Sequence, residues 1–231
     1  MPQRIFIMTC DLFPPGSVGA VAFDHDGTLV NSLPGVVAAT NAALVEHGHA
    51  PCYAEEIIAG MVLATGPRMG LHAKVDDPAE QTAMNVTYYK HARLIIPSLA
   101  TLYPGVGALL EMLTRRGLRL AVVSNSEGVG IRTVMQKLGI LRYFTTVLGE
   151  EDAPAPKPDP RGLLRAAERM QREPWWCVFV GDSLPDRLVA RNAGMRSIGV
   201  TWGIHPRHEM LDTGFDVLVD RADEIVALVA G

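Results

Sequence analysis

Short apolar runs alternate with amphipathic helical segments from about residue 20 to the end of the chain, and this alternation restricts the possible folds most. The apolar runs predict buried strands at 20–24, 118–124, 144–149, 177–181, 196–200 and 215–220. Helical periodicity is found at 106–117, 130–139, 159–171, 184–194 and 221–230. Strands that alternate with helices indicate a parallel sheet covered on both faces. We therefore expect a doubly wound α/β fold.

One long segment, 34–101, departs from the alternation because it contains helical patterns and no strand pattern. It follows the first predicted strand and rejoins the α/β pattern through Pro104 and Gly105, a dipeptide typical of turns and hinges. We predict an α/β core at 1–33 and 102–231, with an all-helical unit inserted at 34–101. Residues 1–19 are expected to form a loose N-terminal extension on the surface of this core.

Composition excludes several classes of protein. The chain has 231 residues, a formal net charge of −4 and no basic block, which argues against nucleic-acid partners. No apolar run approaches the roughly 18 to 20 residues that span a bilayer. The three cysteines form no CxxC pair, which favours reduced thiols. We expect a cytoplasmic protein without a membrane partner, and the pattern does not specify an oligomeric state.

Polar side chains are concentrated where the predicted strands end and where one loop enters a helix. Ligands of open parallel sheets bind at the carboxyl ends of the strands, so these side chains are expected to meet in one cleft. The set comprises Asp24, Asp26, Ser124, Asn125, Lys157, Asp182 and Asp186.

Several carboxylates beside a hydroxyl and an ammonium group suit a divalent hard cation next to a phosphoryl group. Mg²⁺ prefers one or two carboxylates, waters and a substrate phosphate oxygen. We predict that Asp24 and Asp182 are side-chain ligands of Mg²⁺. Asp186 is expected to bind the ion or to orient one of its waters. Asp26 could reach the metal with its backbone carbonyl while its side chain faces the substrate.

The phosphoryl oxygens are expected to contact Ser124, Asn125 and Lys157. Gly27 permits a sharp turn that lets backbone N–H groups approach the phosphate. In the helical unit, residues 66–68 read as a loop between helices, and Arg68 on this loop could pair with an anionic substrate.

Structural interpretations compete with these functional ones. Asp186 could simply favour a helix N-terminus, Lys157 between prolines could be a solvated loop residue, and Arg68 could be a surface arginine. His25, between the two aspartates, is expected to have a structural placement and to point away from Asp24. Capping alone does not explain why all these groups fall at one edge of the sheet, which favours the functional interpretation.

Four motifs in chain order carry a resemblance to a known family. The segments DHDGTLVNS, VVSNS, KPDP and GDSLPD resemble the four motifs of the haloacid dehalogenase-like superfamily, and most of all its phosphoglycolate phosphatase-like members. The likeness extends over nearly the whole chain beyond residue 20.

The resemblance implies a Rossmann-like core with a helical cap, bound Mg²⁺ and a covalent aspartyl-phosphate. It implies that Asp24 is the nucleophile, and that Asp26 protonates the leaving alkoxide and then activates water. Dehalogenases and phosphonatase-like members of the superfamily lack an acid at the position of Asp26. Its presence therefore favours the hydrolysis of an oxygen ester.

We therefore expect a Mg²⁺-dependent phosphomonoester hydrolase that acts on a small phosphorylated metabolite, with phosphoglycolate as the leading substrate by resemblance only. One alternative is a phosphomutase of the same superfamily acting on a sugar phosphate, with the same Asp24 and Asp26. Another is a non-catalytic scaffold on this fold, against which the intact set of polar residues argues.

Overall fold

The predicted apolar runs form the strands of one parallel sheet. The computed structural model describes residues 12–63, 65–205 and 207–229. Its strands are β1 (Ala20–Phe23), β2 (Val30–Asn31), β3 (Thr101–Leu102), β4 (Arg119–Val123), β5 (Thr146–Leu148), β6 (Cys177–Gly181), β7 (Arg196–Val200) and β8 (Val217–Val219). The six-stranded sheet has the order β5-β4-β1-β6-β7-β8, and all its neighbouring strands are parallel. This order places β1 in the interior of the sheet.

The helices divide into a group that covers this sheet and a group inserted after β1. The inserted helices are α1 (Leu33–Glu46), α2 (Ala54–Ala59), α3 (Thr65–Ala73) and α4 (Pro78–Leu99). The helices of the α/β part are α5 (Val106–Arg115), α6 (Gly128–Lys137), α7 (Arg161–Arg169), α8 (Leu184–Asn192), α9 (Arg207–Met210) and α10 (Ala222–Val229).

Both faces of the sheet are buried, as near-continuous apolar strands require. Successive side chains of β1 point to opposite faces. Val21 and Phe23 pack into the cluster that contains residues of α5, α6 and α10. Ala20 and Ala22 pack into a second cluster with residues of α7 and α8. The predicted doubly wound α/β fold is confirmed.

The inserted helices have a hydrophobic cluster of their own. It is formed by Ala39, Ala43, Leu44, Met69, Met84, Tyr88 and Ala92, which come from α1, α3 and α4. The chain enters and leaves this unit through β2 and β3, which pair antiparallel with Val30 opposite Leu102 and Asn31 opposite Thr101. The predicted helical insertion is confirmed. The two short strands at its base were not predicted.

Two local predictions differ from the structure. Residues 66–68 do not form a loop, because they lie in the first turns of α3, where the fixed φ of Pro67 is compatible with a helix. The N-terminal extension is not wholly peripheral, since Phe13 and Val18 are buried in the core. Residues 1–11 of that extension lie outside the described residues. No described helix has the length and apolar character needed to cross a membrane.

Candidate active site

The carboxyl ends of neighbouring strands bring the predicted polar residues into one cavity, as parallel sheets generally do. Asp24 follows β1, Ser124 follows β4 and Asp182 follows β6. The cavity measures about 700 Å³ including its opening to solvent. Its lining includes Asp24, Asp26, Ser124, Asn125, Lys157 and Asp182.

Three carboxylates form the most charged part of the site. Asp24, Asp182 and Asp186 are buried, and each offers an oxygen atom within 4.8 Å of those of the other two. Carboxylate oxygens at this spacing are suitable ligands for a hard divalent cation. The site could therefore hold a metal ion. Asp26 does not belong to this cluster by its side chain, and metal binding by its backbone carbonyl stays a prediction.

Lys157 is the cation that faces this cluster directly. Its Nζ lies 2.8 Å from Oδ1 of Asp24 and 2.6 Å from Oδ1 of Asp186, and its side chain is only 6% exposed. Burial alone would lower the pKa of Lys157, but the charges of Asp186 and Asp24 raise it above its usual value. The lysine is therefore charged at neutral pH, and its single charge faces up to three negative ones.

The excess of carboxylate charge appears in the ionisation of the aspartates. Burial raises the pKa of Asp24 to about 7, with Lys157 opposing the rise and Asp186 adding to it. Burial, followed by the charges of Asp186 and Asp24, also raises the pKa of Asp182 well above its usual value. A bound cation would relieve this repulsion, so the donor set fits a metal ion.

Two carboxylates of the cluster are fixed by hydrogen bonds. Thr28 donates its hydroxyl hydrogen to Asp182 Oδ1 at 3.2 Å, and the N–H of Ile204 donates to Oδ2 at 2.7 Å. Asp186 Oδ2 accepts hydrogen bonds from the N–H and the hydroxyl of Ser183 at the start of α8. Asp186 thus caps a helix and also faces Lys157. Its binding of a metal ion stays a prediction.

Asp26 is held apart from this cluster. Its Oδ2 accepts a hydrogen bond from the Ser126 hydroxyl at 2.7 Å, and Oδ1 accepts one from Ser32. Nδ1 of the buried His25 lies 3.1 Å from Oδ1. Burial would raise the pKa of Asp26, but the contacts with His25, Ser32 and Ser126 lower it below its usual range. Asp24 and Asp26 therefore differ in ionisation, which is typical of paired acid–base groups.

Some residues that were predicted to contact phosphate have polar groups that already form hydrogen bonds within the protein. Ser124 is buried at the cavity wall, and its Oγ accepts a hydrogen bond from the N–H of Ser126. Asn125 Oδ1 accepts one from the N–H of Lys157 at 2.8 Å, which ties the lysine loop to the end of β4. The N–H of Gly27 donates to the carbonyl of Val30. Phosphate binding by these residues stays a prediction.

Gly27 is placed where no side chain fits. Its φ is +82°, in the left-handed region, and a Cβ on it would lie 2.1 Å from Oδ2 of Asp182. The turn after β1 can therefore approach Asp182 only because residue 27 is glycine.

Gly27→Ala is expected to lower the free energy of unfolding by more than about 1–2 kcal/mol, which is the cost of the left-handed φ alone. The loss should be larger because Asp182 must move to make room for the new Cβ. Gly48→Ala is the matched control, since Gly48 has a φ of +79° and a Cβ at this position would meet no other atom within 4 Å. Thermal unfolding of both variants checks this expectation. Equal losses of stability would show that Asp182 does not restrict residue 27.

The inserted helices supply the opposite wall of the cavity. Met61, Leu63, Thr65 and Arg68 line it across from the strand ends. Arg68 is buried in α3, so the interpretation of this residue as a surface arginine is wrong. The candidate contact predicted from the sequence therefore does border the site.

Several residues that shape the site were given no role in the sequence prediction. They are the hydroxyl residues Thr28, Ser32, Ser126 and Ser183, together with the N–H of Ile204. Thr28, Ser32, Ser126 and Ser183 lie within or beside the four motifs, where a hydroxyl near an aspartate is a detectable signal. The contact of His25 with Asp26 was also not predicted.

Known proteins with similar sequences and structures support one family. The model of the haloacid dehalogenase-like hydrolase family matches residues 21–200. A phosphoglycolate phosphatase from Cereibacter sphaeroides (strain ATCC 17025 / ATH 2.4.3) is 32% identical over 90% of this chain and 96% of its own length. One from Mannheimia succiniciproducens is 30% identical over 90% and 97%.

A solved structure shows the same architecture. It is a haloacid dehalogenase-like family protein from Streptococcus pneumoniae, which superposes with a TM-score of 0.80 at 25% identity and covers 91% of this chain and 98% of its own. The predicted likeness to phosphoglycolate phosphatases is thus confirmed at the level of sequence relatives. On these matches and the four motifs, the chain belongs to the haloacid dehalogenase-like hydrolase family.

Proposed function

We propose that this protein is a Mg²⁺-dependent phosphomonoester hydrolase acting on a small metabolite. The observation that carries the proposal is the buried cluster of Asp24, Asp182 and Asp186 beside Lys157, with Asp26 held separately by hydroxyl groups. Phosphoglycolate is the leading substrate candidate, because curated relatives over most of the chain length are phosphoglycolate phosphatases.

Magnesium is the metal that we propose for the site. Asp24, Asp182 and Asp186 would hold it, and these ligands are all carboxylates, the hard oxygen donors that Mg²⁺ prefers. When bound, the ion would supply positive charge that offsets the carboxylates and the phosphoryl oxygens.

The first step transfers the phosphoryl group from the ester to the protein. One oxygen of Asp24 attacks phosphorus, the bond to the ester oxygen breaks, and Asp26 gives a proton to the leaving alkoxide. Asp26 is ionised in the free protein because its pKa is lowered. The phosphomonoester monoanion can bring the required proton, since the second pKa of a phosphate ester is about 6. Lys157 stabilises the negative charge of the transferred group.

The second step returns Asp24 to its free form. Asp26 takes a proton from a water molecule, whose oxygen attacks phosphorus, and inorganic phosphate leaves. The hydrogen bonds from Ser32 and Ser126 keep the Asp26 carboxylate in place for both transfers. Two carboxylates thus perform nucleophilic and acid–base work in turn.

We propose that residues 34–101 form a cap that closes over this site. Its residues Met61, Leu63, Thr65 and Arg68 face the catalytic cavity. A contact between the two parts involves Arg93 of α4, whose Nε donates to Oε2 of Glu127 at 2.9 Å. A cap of this kind excludes bulk water and selects the leaving group.

The test is phosphate release from a panel of small phosphomonoesters, with Mg²⁺ and with EDTA. We expect release that requires Mg²⁺ and that is fastest with one ester or a few. Turnover that needs a trace of a bisphosphate and yields an isomer would instead identify a phosphomutase. The absence of any reaction would favour a non-catalytic role.

Mg²⁺ is expected to stabilise the fold more at pH 8 than at pH 6. The pKa of Asp24 is raised to about 7, so the metal-free folded state takes up protons as the pH falls and loses stability as the pH rises through 7. At pH 6 protons compete with the ion. Saturating Mg²⁺ should raise Tm by about 5–10 °C at pH 8 and by less at pH 6. Thermal unfolding at matched ionic strength measures this, and a larger rise at pH 6 would contradict it.

A further inference from the structure

The charge of Arg68 is buried, and no carboxylate in the described part of the chain forms an ion pair with it. The residue is 5% exposed, and its Cζ lies 4.9 Å from the centre of the Tyr88 ring. Its Nε and Nη2 are buried and have no hydrogen-bond partner among the described residues. A buried guanidinium that lacks an anion is strongly unfavourable, so this position calls for one from outside the protein.

The guanidinium borders the space that a substrate would occupy. Arg68 lines the catalytic cavity together with Asp24 and Lys157. It also lines an adjoining cavity of about 550 Å³, counting the part open to solvent, between the inserted helices and α6. Asp26, Met61, Thr65 and Ser126 line both cavities, so the two are continuous around Arg68.

Two acidic residues that line these cavities, Asp26 and Glu127, have other partners. Asp26 accepts hydrogen bonds from Ser32 and Ser126, and makes none with Arg68. Glu127 accepts two hydrogen bonds from the guanidinium group of Arg93. The aromatic ring of Tyr88 orients the guanidinium but offers no formal charge. Arg68 is therefore left as a positive group opposite the catalytic aspartates.

We propose that Arg68 binds a second anionic group of the substrate, so that the preferred substrates are small phosphomonoesters that carry a carboxylate or a second phosphate. This inference rests on the proposed function, since the first phosphate must sit at Asp24. A guanidinium donates two parallel hydrogen bonds to either anion, which gives both affinity and orientation. Neutral leaving groups of the same size leave Arg68 unpaired and bind less well.

The test compares esters that differ in this second charge. The probes are 2-phosphoglycolate, which carries a carboxylate, 2-hydroxyethyl phosphate, in which a neutral hydroxymethyl group replaces that carboxylate, and the bisphosphate of ethylene glycol. We expect wild type to favour at least one probe with a second anionic group over 2-hydroxyethyl phosphate by about 30-fold or more in kcat/KM. The preferred probe decides between a carboxylate and a second phosphate as the bound group.

Arg68→Met keeps most of the length of the side chain and removes its charge. We expect this variant to lose about 30-fold or more in kcat/KM on the preferred ester, and to lose much less on 2-hydroxyethyl phosphate, which has no second anion for Arg68 to bind. Lys90→Met is the control, because Lys90 is a cation of α4 that is 65% exposed and pairs with Glu46. It should change neither rate by more than about 3-fold.

Binding supplies a readout that is independent of turnover. The ligands for calorimetry are phosphonoacetate, which carries a carboxylate, and ethylphosphonate, which does not. If 2-phosphoglycolate is the preferred ester, wild type should bind phosphonoacetate more tightly than ethylphosphonate. Arg68→Met should bind the two equally. The variant should unfold at no lower temperature than wild type, because it removes an unpaired buried charge.

The experiment distinguishes failure of the inference about Arg68 from failure of the proposed function. If wild type hydrolyses 2-hydroxyethyl phosphate as fast as the probes with a second anionic group, or if Arg68→Met slows all esters equally, the inference about Arg68 is overturned and the proposed hydrolase stands. If no ester is hydrolysed under any condition, the proposed function itself fails and the substrate class fails with it.

Discussion

Asp24→Asn is expected to reduce phosphate release by on the order of 10⁴-fold or more, which is the scale of removing a nucleophile. The amide oxygen is a poor nucleophile, and the substitution also removes one carboxylate from the candidate metal site. The fold should survive, because the change removes a charge from a buried cluster that has an excess of negative charge. At pH 8 without metal, we expect Asp24→Asn to unfold at the same temperature as wild type or higher.

The matched control is Asp223→Asn on the first turn of α10, where the aspartate is 71% exposed. Initial rates with saturating Mg²⁺ and unfolding curves should be recorded for both variants. A folded Asp24→Asn protein that retains a substantial part of the wild-type rate would exclude Asp24 as the nucleophile.

Lys157→Met is expected to damage both stability and activity. Lys157 contacts Asp24 and Asp186 directly. Without its ammonium group, the buried negative charges of these two aspartates lose the positive charge that faces them. Breaking a buried pair in this way costs about 3–5 kcal/mol, equivalent to a fall in Tm of about 6–20 °C for a chain of this size. The fall should be larger at pH 8 than at pH 5.5, since the folded state takes up protons on Asp24 below its raised pKa.

Lys137→Met tests whether the effect belongs to the site, because Lys137 is an exposed lysine at the end of α6. It should unfold within about 2 °C of wild type, as is usual for surface substitutions. If Lys157→Met and Lys137→Met had the same stability at pH 8, Lys157 could not be the charge that compensates the cluster.

Opposite effects on metal-free stability distinguish these two substitutions. Removing a carboxylate relieves repulsion, and removing the ammonium group increases it. The buried charges that the proposed reaction requires are thus expected to lower the stability of the metal-free protein. Such a relation is common at sites where charges are brought together before the ligand arrives.

Residues at strand ends were the most predictable part of the site. The apolar runs locate the strands, and parallel strands end at one edge, so Asp24, Ser124 and Asp182 could be brought together without a structure. Lys157 and Asp186 follow from their positions next to helix starts at the same edge. Their short distances to one another confirm that expectation.

Local geometry in the inserted helices was less predictable. Residues 66–68 contain glycine and proline, which favour turns, yet proline is also accepted in the first turn of a helix. Packing of Met69 into the cluster of α1 and α4 decides for the helix, and this contact is not visible in local sequence. The same burial brings Arg68 into the cavity.

The paired strands β2 and β3 were missed for another reason. Each has two residues, which is too short for an alternation of apolar and polar side chains to appear. The hydroxyl groups that contact Asp26 belong to Ser32, which is 6 positions away in the sequence, and to Ser126, which is 100 positions away. Only the fold brings them together.

Identification of the residue that carries the phosphoryl group during turnover tests directly whether Asp24 is the nucleophile. Wild-type protein should be mixed with Mg²⁺ and its best ester, quenched with acid, and reduced with borohydride, which converts an aspartyl-phosphate to homoserine. Peptide mass spectrometry should then find this conversion at Asp24 and no conversion with EDTA. Active protein in which Asp24 is never modified, or in which another residue carries the phosphoryl group, would contradict the proposed mechanism.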